Sequence, residues 1–435
     1  MSTYRSWGYC PKTKQQAVRP GWRDFALDSY DGSLLPYGNG RSYGDSCLNS
    51  AGQVVDGRSL NKFISFDAEH GVLRCEAGIT FKDILEVIVP HGWFLPVTPG
   101  TKYVTVGGAV ANDVHGKNHH RDGTLGRHIL AFELLRSNGA RLSCSPGSNA
   151  ELFNATIGGL GLTGFISWVE IKLISIKSPY LEVETITFKG LTEFYELSEQ
   201  SHEKYQYTVA WLDCVSGGEN FARGAFMRAN HSDEVKRHEE KPVRRHLAVP
   251  LNLPAWVINK YSIGVFNAVY YSQQKKVSNR NATKYYDSFF YPLDGIKNWN
   301  RIYGKDGFYQ YQFVVPKAAT KVLEEMLRKI ILSGLGSFLA VLKEFGDMKS
   351  PGMLSFPKPG ICLALDFSNR GQYTLQVLDE LDDLVMSAGG AVYPAKDNRM
   401  SSKAFKTYYP ACDKFAAFID PRFTSNFWKR VYDAK

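Results

Sequence analysis

The sequence predicts an α+β protein of two domains, and three observations carry that prediction. Two glycine-rich segments, Pro36 to Asn49 and Thr98 to His120, follow apolar strand-like runs and are separated by about fifty residues. Up to about residue 178 the patterns of strand and helix alternate. From about 179 to 390 the chain is richer in β-type runs, with long helical stretches between them.

Within the first region, Phe63 to Gly78 (FISFDAEHGVLRCEAG) reads as a strand pair, and Phe81 to Gly92 (FKDILEVIVPHG) as a helical stretch. Glycine lets backbone approach an anion closely and turn consecutive N–H groups into a concave nest, so the two loops are suited to a pyrophosphate. Gly38, Gly40 and Gly44 form G-x-G-x-x-x-G, one residue too long for the dinucleotide fingerprint, with Arg41 and Tyr43 where a Rossmann helix would begin. No Walker lysine follows either loop. A lone cluster of this kind is an ordinary pair of turns. Here a third, Gly158-Gly159-x-Gly161-x-x-Gly164, strengthens the reading of one large phosphate-bearing cofactor.

The second region carries YLEVETITF, YTVAWLDCV, YQYQFVVP and ICLALDF as strands, and TKVLEEMLRKIILSG and LQVLDELDDLVMSAGG as helices. That order suggests an antiparallel sheet covered by helices. Gln310 and Gln312 alternate on one strand and so face the same side.

Composition sets the outer limits. The chain has 435 residues, 44% hydrophobic and 22% charged, which is enough for two sizeable cores and too apolar for disorder. The first residues lack an apolar signal region, and no apolar run reaches membrane-spanning length, so a soluble protein is expected. Seven scattered cysteines include no C-x-x-C pair and fit reduced thiols in a cytoplasm. The net charge of +9 admits an acidic partner, but no nucleic-acid module is present, so no nucleic acid is expected. The segment 241–276 is apolar and aromatic between Arg244, Arg245, Lys275 and Lys276, and its three prolines argue against one long helix. It reads either as core or as a membrane-surface element with Trp256, Phe266 and Tyr270 at the interface. His115 and His119 have the i, i+4 spacing of zinc helices, but Gly116 stands where the glutamate would be. No metal is expected, and His119 and His120 are expected at the surface.

The long motifs GRSYGDSCLN, TVGGAVANDVHGKNHH, ELFNATIGGLGLTG, WNRIYGKDGFYQYQFVVP, SFLAVLKEFG and YPAKDNR run nearly end to end. In them the chain resembles the vanillyl-alcohol oxidase superfamily of FAD-linked oxidoreductases, and within it the family of decaprenylphosphoryl-β-D-ribose 2′-oxidases. The resemblance implies a PCMH-type FAD-binding domain over 1–178 and 391–435 and a substrate domain over 179–390. It implies FAD held by Gly38, Asn39, Gly40, Arg41, Ser42 and Tyr43, by Pro99, Gly100, Thr101, Val104, Gly107 and Gly108, and by Asn112, His115, Gly159, Gly164, Ile166 and Tyr393. Superfamily members with covalent flavin carry histidine in a G-x-G-H-S pattern. Arg41 occupies that place and no cysteine lies between Val97 and Gly108, so FAD is expected to be non-covalent.

The same resemblance implies a substrate pocket of Lys117, Trp211, Gln310, Gln312, Lys343, Phe345 and Ala364. Lys396 is the first choice for the catalytic position, with Tyr43 and His115 as alternative proton acceptors. Cys362 and Phe290 depart from the family's asparagine and tyrosine, which bears on the identity of the sugar and lipid, and Ala364 departs from its cysteine, which matters little for hydride transfer. The implied activity is oxidation of a sugar secondary hydroxyl, the 2′-hydroxyl of a polyprenylphosphoryl ribose, completed as an epimerisation by a separate NAD(P)H-dependent reductase. The lipid tail favours a lipid-facing role for 241–276 and peripheral placement at the inner face of the membrane. Two other readings stand beside it. One is an alditol or aldonolactone oxidase that forms hydrogen peroxide, and the other is a degenerate flavin fold that only binds a lipid-linked sugar.

Overall fold

The computed structural model describes residues 4–234 and 247–433. Three sheets organise the chain. A small parallel sheet orders Gln16–Val18, Gln53–Asp56 and Leu34–Tyr37. A five-stranded antiparallel sheet orders Phe63–Asp67, Val72–Glu76, Phe165–Lys172, Ile129–Leu135 and Arg141–Cys144. After Lys172 the chain enters an eight-stranded antiparallel sheet, ordered Arg280–Tyr285, Tyr180–Phe188, Gly224–His231, Tyr207–Leu212, Val341–Phe345, Gly360–Ser368, Phe308–Val315 and Ala391–Val392. This is the α+β architecture expected from the sequence.

Local chemistry explains the elements. The helix Phe81–Ile88 begins with a capping box in which the Thr80 side chain accepts from the Asp83 amide and the Asp83 side chain takes the Thr80 amide. It buries Phe81, Ile84, Leu85 and Ile88, each worth about 1.5–3 kcal/mol of transfer free energy, against the five-stranded sheet. The alternation along Phe308–Val315 divides its neighbours. Tyr311 points to the helix Gln372–Ser387 and donates to Asp382 Oδ1 at 2.7 Å, while Gln310 and Gln312 face the opposite side. The helices Thr320–Ser333 and Gln372–Ser387 contribute Leu323, Leu327, Leu378 and Leu381 to the core that covers the Tyr311 side.

The C-terminal segment closes the molecule onto its beginning. Phe423 forms a bridge with Leu34, and Arg430 donates to Asp45 Oδ1 at 2.8 Å and to Asp397 Oδ2 at 3.0 Å. The buried acids Asp45 and Asp397 therefore share one cation that holds the first glycine loop against residues 393–400.

In the segment 241–276, residues 241–246, with Arg244 and Arg245, lie outside the described residues. The prolines Pro250 and Pro254 stand in irregular chain, and an 18-residue helix, Lys260–Val277, follows. Its start is fixed by Asn259, whose side chain accepts from the Tyr261 and Ser262 amides. Trp256 and Phe266 are exposed, whereas Tyr270 is turned inward, with its ring 4.7 Å from that of Trp211. Among the described residues no helix is long and apolar enough to cross a membrane.

Candidate active site

A deep cavity runs from the first two glycine loops to the uncovered face of the eight-stranded sheet. Its loop end is lined by Gly38 to Tyr43, by Pro99, Gly100, Thr101 and Val104, by Gly107 and Gly108, and by Asn112, Gly164 and Ile166. Its sheet end is lined by His115, Gln310, Gln312, Lys343, Ala364, Asp366, Tyr393 and Lys396. The pairing register explains the second set. Gln310 lies opposite Asp366, Gln312 opposite Ala364 and Lys343 opposite Cys362, so alternation along three strands delivers these side chains to one face.

The loop end is built for an anion. Among the described residues, the amides of Asn39, Gly40, Arg41 and Ser42 donate to no protein acceptor, and neither do those of Gly100 and Thr101. Arg41 lies over the Trp7 ring at 4.0 Å, and its buried Nε has no partner. Burial pulls that guanidinium below its ordinary pKa, an effect that the charge of Asp294 opposes. Unmet donors around a cavity are the chemistry of a phosphate site. The second loop contributes fewer amides than its glycines suggest. Val106, Gly107 and Gly108 donate to Ile79 O at 2.9 Å, Ala77 O at 2.8 Å and Thr105 Oγ1 at 3.4 Å. Those glycines serve close packing: a Cβ on Gly107 would lie 2.9 Å from Ala77 Cβ.

At the sheet end, His115 is held from three sides. Its Nε2 lies 2.8 Å from the Gln312 amide nitrogen, its Nδ1 lies 3.5 Å from Lys343 Nζ, and its ring packs on Phe345 at 4.8 Å. Burial, followed by the Lys343 charge, keeps the imidazole well below its ordinary pKa and therefore neutral. Asp113 sets the turn before it at φ 40° and accepts from Ser350 Oγ, Ser355 Oγ and the Gly126 amide. Lys396 Nζ stands 3.9 Å from the centre of the Tyr43 ring. Burial lowers Lys396 to about 7 and raises Asp366 to about 7, while the attraction between the two opposes both shifts. Gln310 donates to Asp366 Oδ1 at 2.7 Å. Burial raises the Tyr43 phenol, which favours a neutral hydroxyl over a proton acceptor.

Four expected site residues stand outside the cavity wall. Trp211 is the cross-strand neighbour of the lining residue Val341, and its indole donates to Phe338 O at 3.0 Å. Phe345 acts as a buttress for His115. Gly159 packs at a turn, where a Cβ would lie 2.2 Å from Ala155 O, while its neighbours Leu160 and Gly161 reach the wall. Lys117 is half-buried, donates to the Phe289 carbonyl and lies 4.2 Å from the Phe289 ring; desolvation of its amine lowers it to about 7. The departures are placed too. Cys362 lies under Gln312, whose amide is 3.3 Å from its sulfur, and Phe290 belongs to the aromatic core with Tyr207.

The expectation for two histidines is corrected. His119 and His120 are buried, at 2% and 6% exposure, because the turn His119–Asp122 tucks under the strand Val341–Phe345 and sets the His119 ring 4.5 Å from Phe345. Asp366, Asp294, Trp7 and Trp299 line the cavity although no expectation named them. Asp366 had a signal: it follows Ala364 by two in a strand and shares its face. Trp7 and Asp294 reach the site only through tertiary packing.

Comparison with known proteins agrees with this geometry. Residues 26–145 match the FAD binding domain family. The chain is 35% identical over 400 residues to decaprenylphosphoryl-beta-D-ribose oxidase of Mycolicibacterium smegmatis, covering 89% of this chain and 86% of that protein. It is 29% identical over 207 residues to L-gulonolactone oxidase of Bos taurus, covering 47% of this chain and 46% of the other. With Delta(24)-sterol reductase of Homo sapiens it shares 28% identity over 133 residues, 31% of this chain and 26% of the other.

Proposed function

Because this chain belongs to the vanillyl-alcohol-oxidase-type family of FAD-dependent oxidoreductases, together with decaprenylphosphoryl-ribose oxidase, we propose that it oxidises the 2′-hydroxyl of a polyprenylphosphoryl-β-D-ribose to a ketone. The observation that carries the reading is a single cavity with unmet phosphate donors at one end and Gln310, Gln312, Lys343, Asp366 and Lys396 converging at the other. The donor set fits FAD: the amides of Asn39 to Ser42 with Gly100, Thr101 and Arg41 would hold its pyrophosphate, and Val104, Phe165 and Ile166 offer apolar walls. When bound, FAD supplies the two-electron acceptor.

The chain's own residues orient the sugar and move its proton. Gln310, Gln312 and the Lys343 ammonium offer convergent hydrogen bonds to the sugar hydroxyls. The Lys396 amine, lowered into the neutral range by burial, takes the hydroxyl proton as hydride leaves the carbon. Asp366 holds that lysine's charge once it is protonated. Neutral His115 donates or accepts a hydrogen bond without adding charge.

The same reading assigns 1–178 with 391–435 to FAD and 179–390 to substrate. The change of sheet between Lys172 and Tyr180 and the Phe423–Leu34 bridge support that division, although Ala391–Val392 still pairs within the eight-stranded sheet. It assigns reduction of the ketone to a separate NAD(P)H-dependent reductase, and a lipid-facing role to the exposed part of 247–276.

The test is anaerobic mixing of the FAD-loaded protein with polyprenylphosphoryl ribose, with xylitol and gulonolactone in parallel. Bleaching of the flavin by the lipid-linked sugar alone is the expected result; bleaching by the free lactone or polyol would reassign the substrate to the gulonolactone oxidase type. Since the base acts as neutral amine, the rate of bleaching should rise with pH through about 7, falling about tenfold per unit below it. A rate that falls across that range would exclude Lys396 as the base. With Arg41 in place of a linking histidine, acid precipitation should release all the FAD into the supernatant. Flavin that stays with the pellet would show a covalent link.

A further inference from the structure

A second cleft lies between the N-terminal segment, residues 4–15, and the loop Pro250–Asn252. Five cations line it, Arg5, Lys12, Lys14, Arg301 and Lys305, and no acidic residue does. Arg301 holds the loop in place by donating to Pro250 O at 2.5 Å. Lys12 has an exposed partner, Asp306, at 3.6 Å. Lys14 and Lys305 have no acidic partner among the described residues. Concave walls that carry uncompensated charge of one sign concentrate counter-ions.

The edge of this cleft is apolar. Leu251 lines it and is 73% exposed, and Leu247 and Trp256 in the same segment are 67% and 75% exposed. The helix Lys260–Val277 continues the exposure with Tyr261, Val265 and Val269, which repeat at i, i+4, i+8 and so form one stripe. Single exposed apolar side chains are ordinary, but six along one segment that reaches a cationic cleft through Leu251 are not. A free phosphate would account for the lysines and leave the leucines and tryptophan in water. An apolar protein partner would cover those side chains and leave the lysines unmatched. An anionic amphiphile satisfies both, with phosphate in the cleft and the apolar edge at the acyl boundary.

We propose that this cleft binds the phosphate headgroup of an anionic membrane lipid and docks the protein on the bilayer with Leu251 and Trp256 at the boundary of headgroup and acyl chain. The inference rests on the lipid-facing reading above and gives it a site and a charge. It is independent of which sugar is oxidised, because its readout is partitioning and not flavin reduction.

The test is co-sedimentation of the FAD-loaded full chain with vesicles of phosphatidylcholine, alone or mixed with phosphatidylglycerol. Binding to the mixed vesicles only, weakened by salt, is the expected result. Lys14→Gln and Lys305→Gln should each reduce partitioning about five-fold. Leu251→Asp with Trp256→Ser should reduce it with flavin content and Tm unchanged. Equal binding to neutral vesicles, no binding to either, or undiminished binding by the lysine variants overturns the proposal. So does capture of inorganic phosphate by a protein that leaves the vesicles unbound, which would make the cleft a small-anion site.

Discussion

Lys396→Met is expected to retain FAD and to lose substrate-driven flavin reduction by about 10²- to 10⁴-fold, the range in which a positioned proton acceptor contributes. The lysine lies on the wall of the cavity and over the Tyr43 ring, and burial brings it to a pKa of about 7, so a neutral amine is present at ordinary pH. Methionine preserves the length of the side chain without a lone pair or a charge. Lys396→Arg separates the two roles, since a guanidinium keeps a cation but cannot act as a base. If the arginine variant reduces its flavin at the original rate, the group serves by charge alone, and proton removal passes to another residue. The measurement is single-turnover bleaching at saturating substrate, with flavin stoichiometry checked from the visible spectrum.

The second large effect is expected at a residue with no chemistry of its own. Gly44→Ala would set a Cβ 1.7 Å from Asp397 O and 2.3 Å from its carbonyl carbon, and backbone atoms cannot rotate away. Overpacking of a tight contact costs about 1–3 kcal/mol, and this contact lies at or beyond the upper end. The approach it blocks is the one that carries the Tyr43 amide to Ala395 O at 2.9 Å and brings Lys396 over the Tyr43 ring. A lower Tm, loss of bound flavin and slow reduction of whatever flavin remains are therefore expected together. The measurements are thermal unfolding, the ratio of flavin to protein absorbance and single-turnover reduction. A variant that keeps all three would show that the first glycine loop and residues 395–398 need not touch.

The two experiments separate what pattern reveals from what packing creates. The strands Tyr180–Phe188 and Phe308–Val315 and the helix Phe81–Ile88 were legible because periods of 2 and 3.6 are local properties of sequence. The shared face of Gln310 and Gln312 followed from the same alternation, and Asp366 beside Ala364 was legible by the same rule. The glycine loops announced an anion cradle through composition. Which amides remain free was not legible: Gly107 and Gly108 are rich in promise as sequence, yet their N–H groups are taken by Ala77 O and Thr105 Oγ1. The burial of His119 and His120 was also hidden, since it depends on a strand more than two hundred residues later in the chain.

Periodicity and glycine placement were enough for the α+β class and the phosphate-bearing cofactor, since each depends on residues within a few positions of one another, whereas the expectation of a non-covalent link needed the family resemblance to give Arg41 its meaning. The proton chemistry proposed for Lys396 rests on tertiary structure alone. Lys396 and Asp366 are ordinary charged residues in the linear chain, and they reach neutral-range pKa values only because the sheet face, the first glycine loop and the returning C-terminal segment together withdraw both from bulk water.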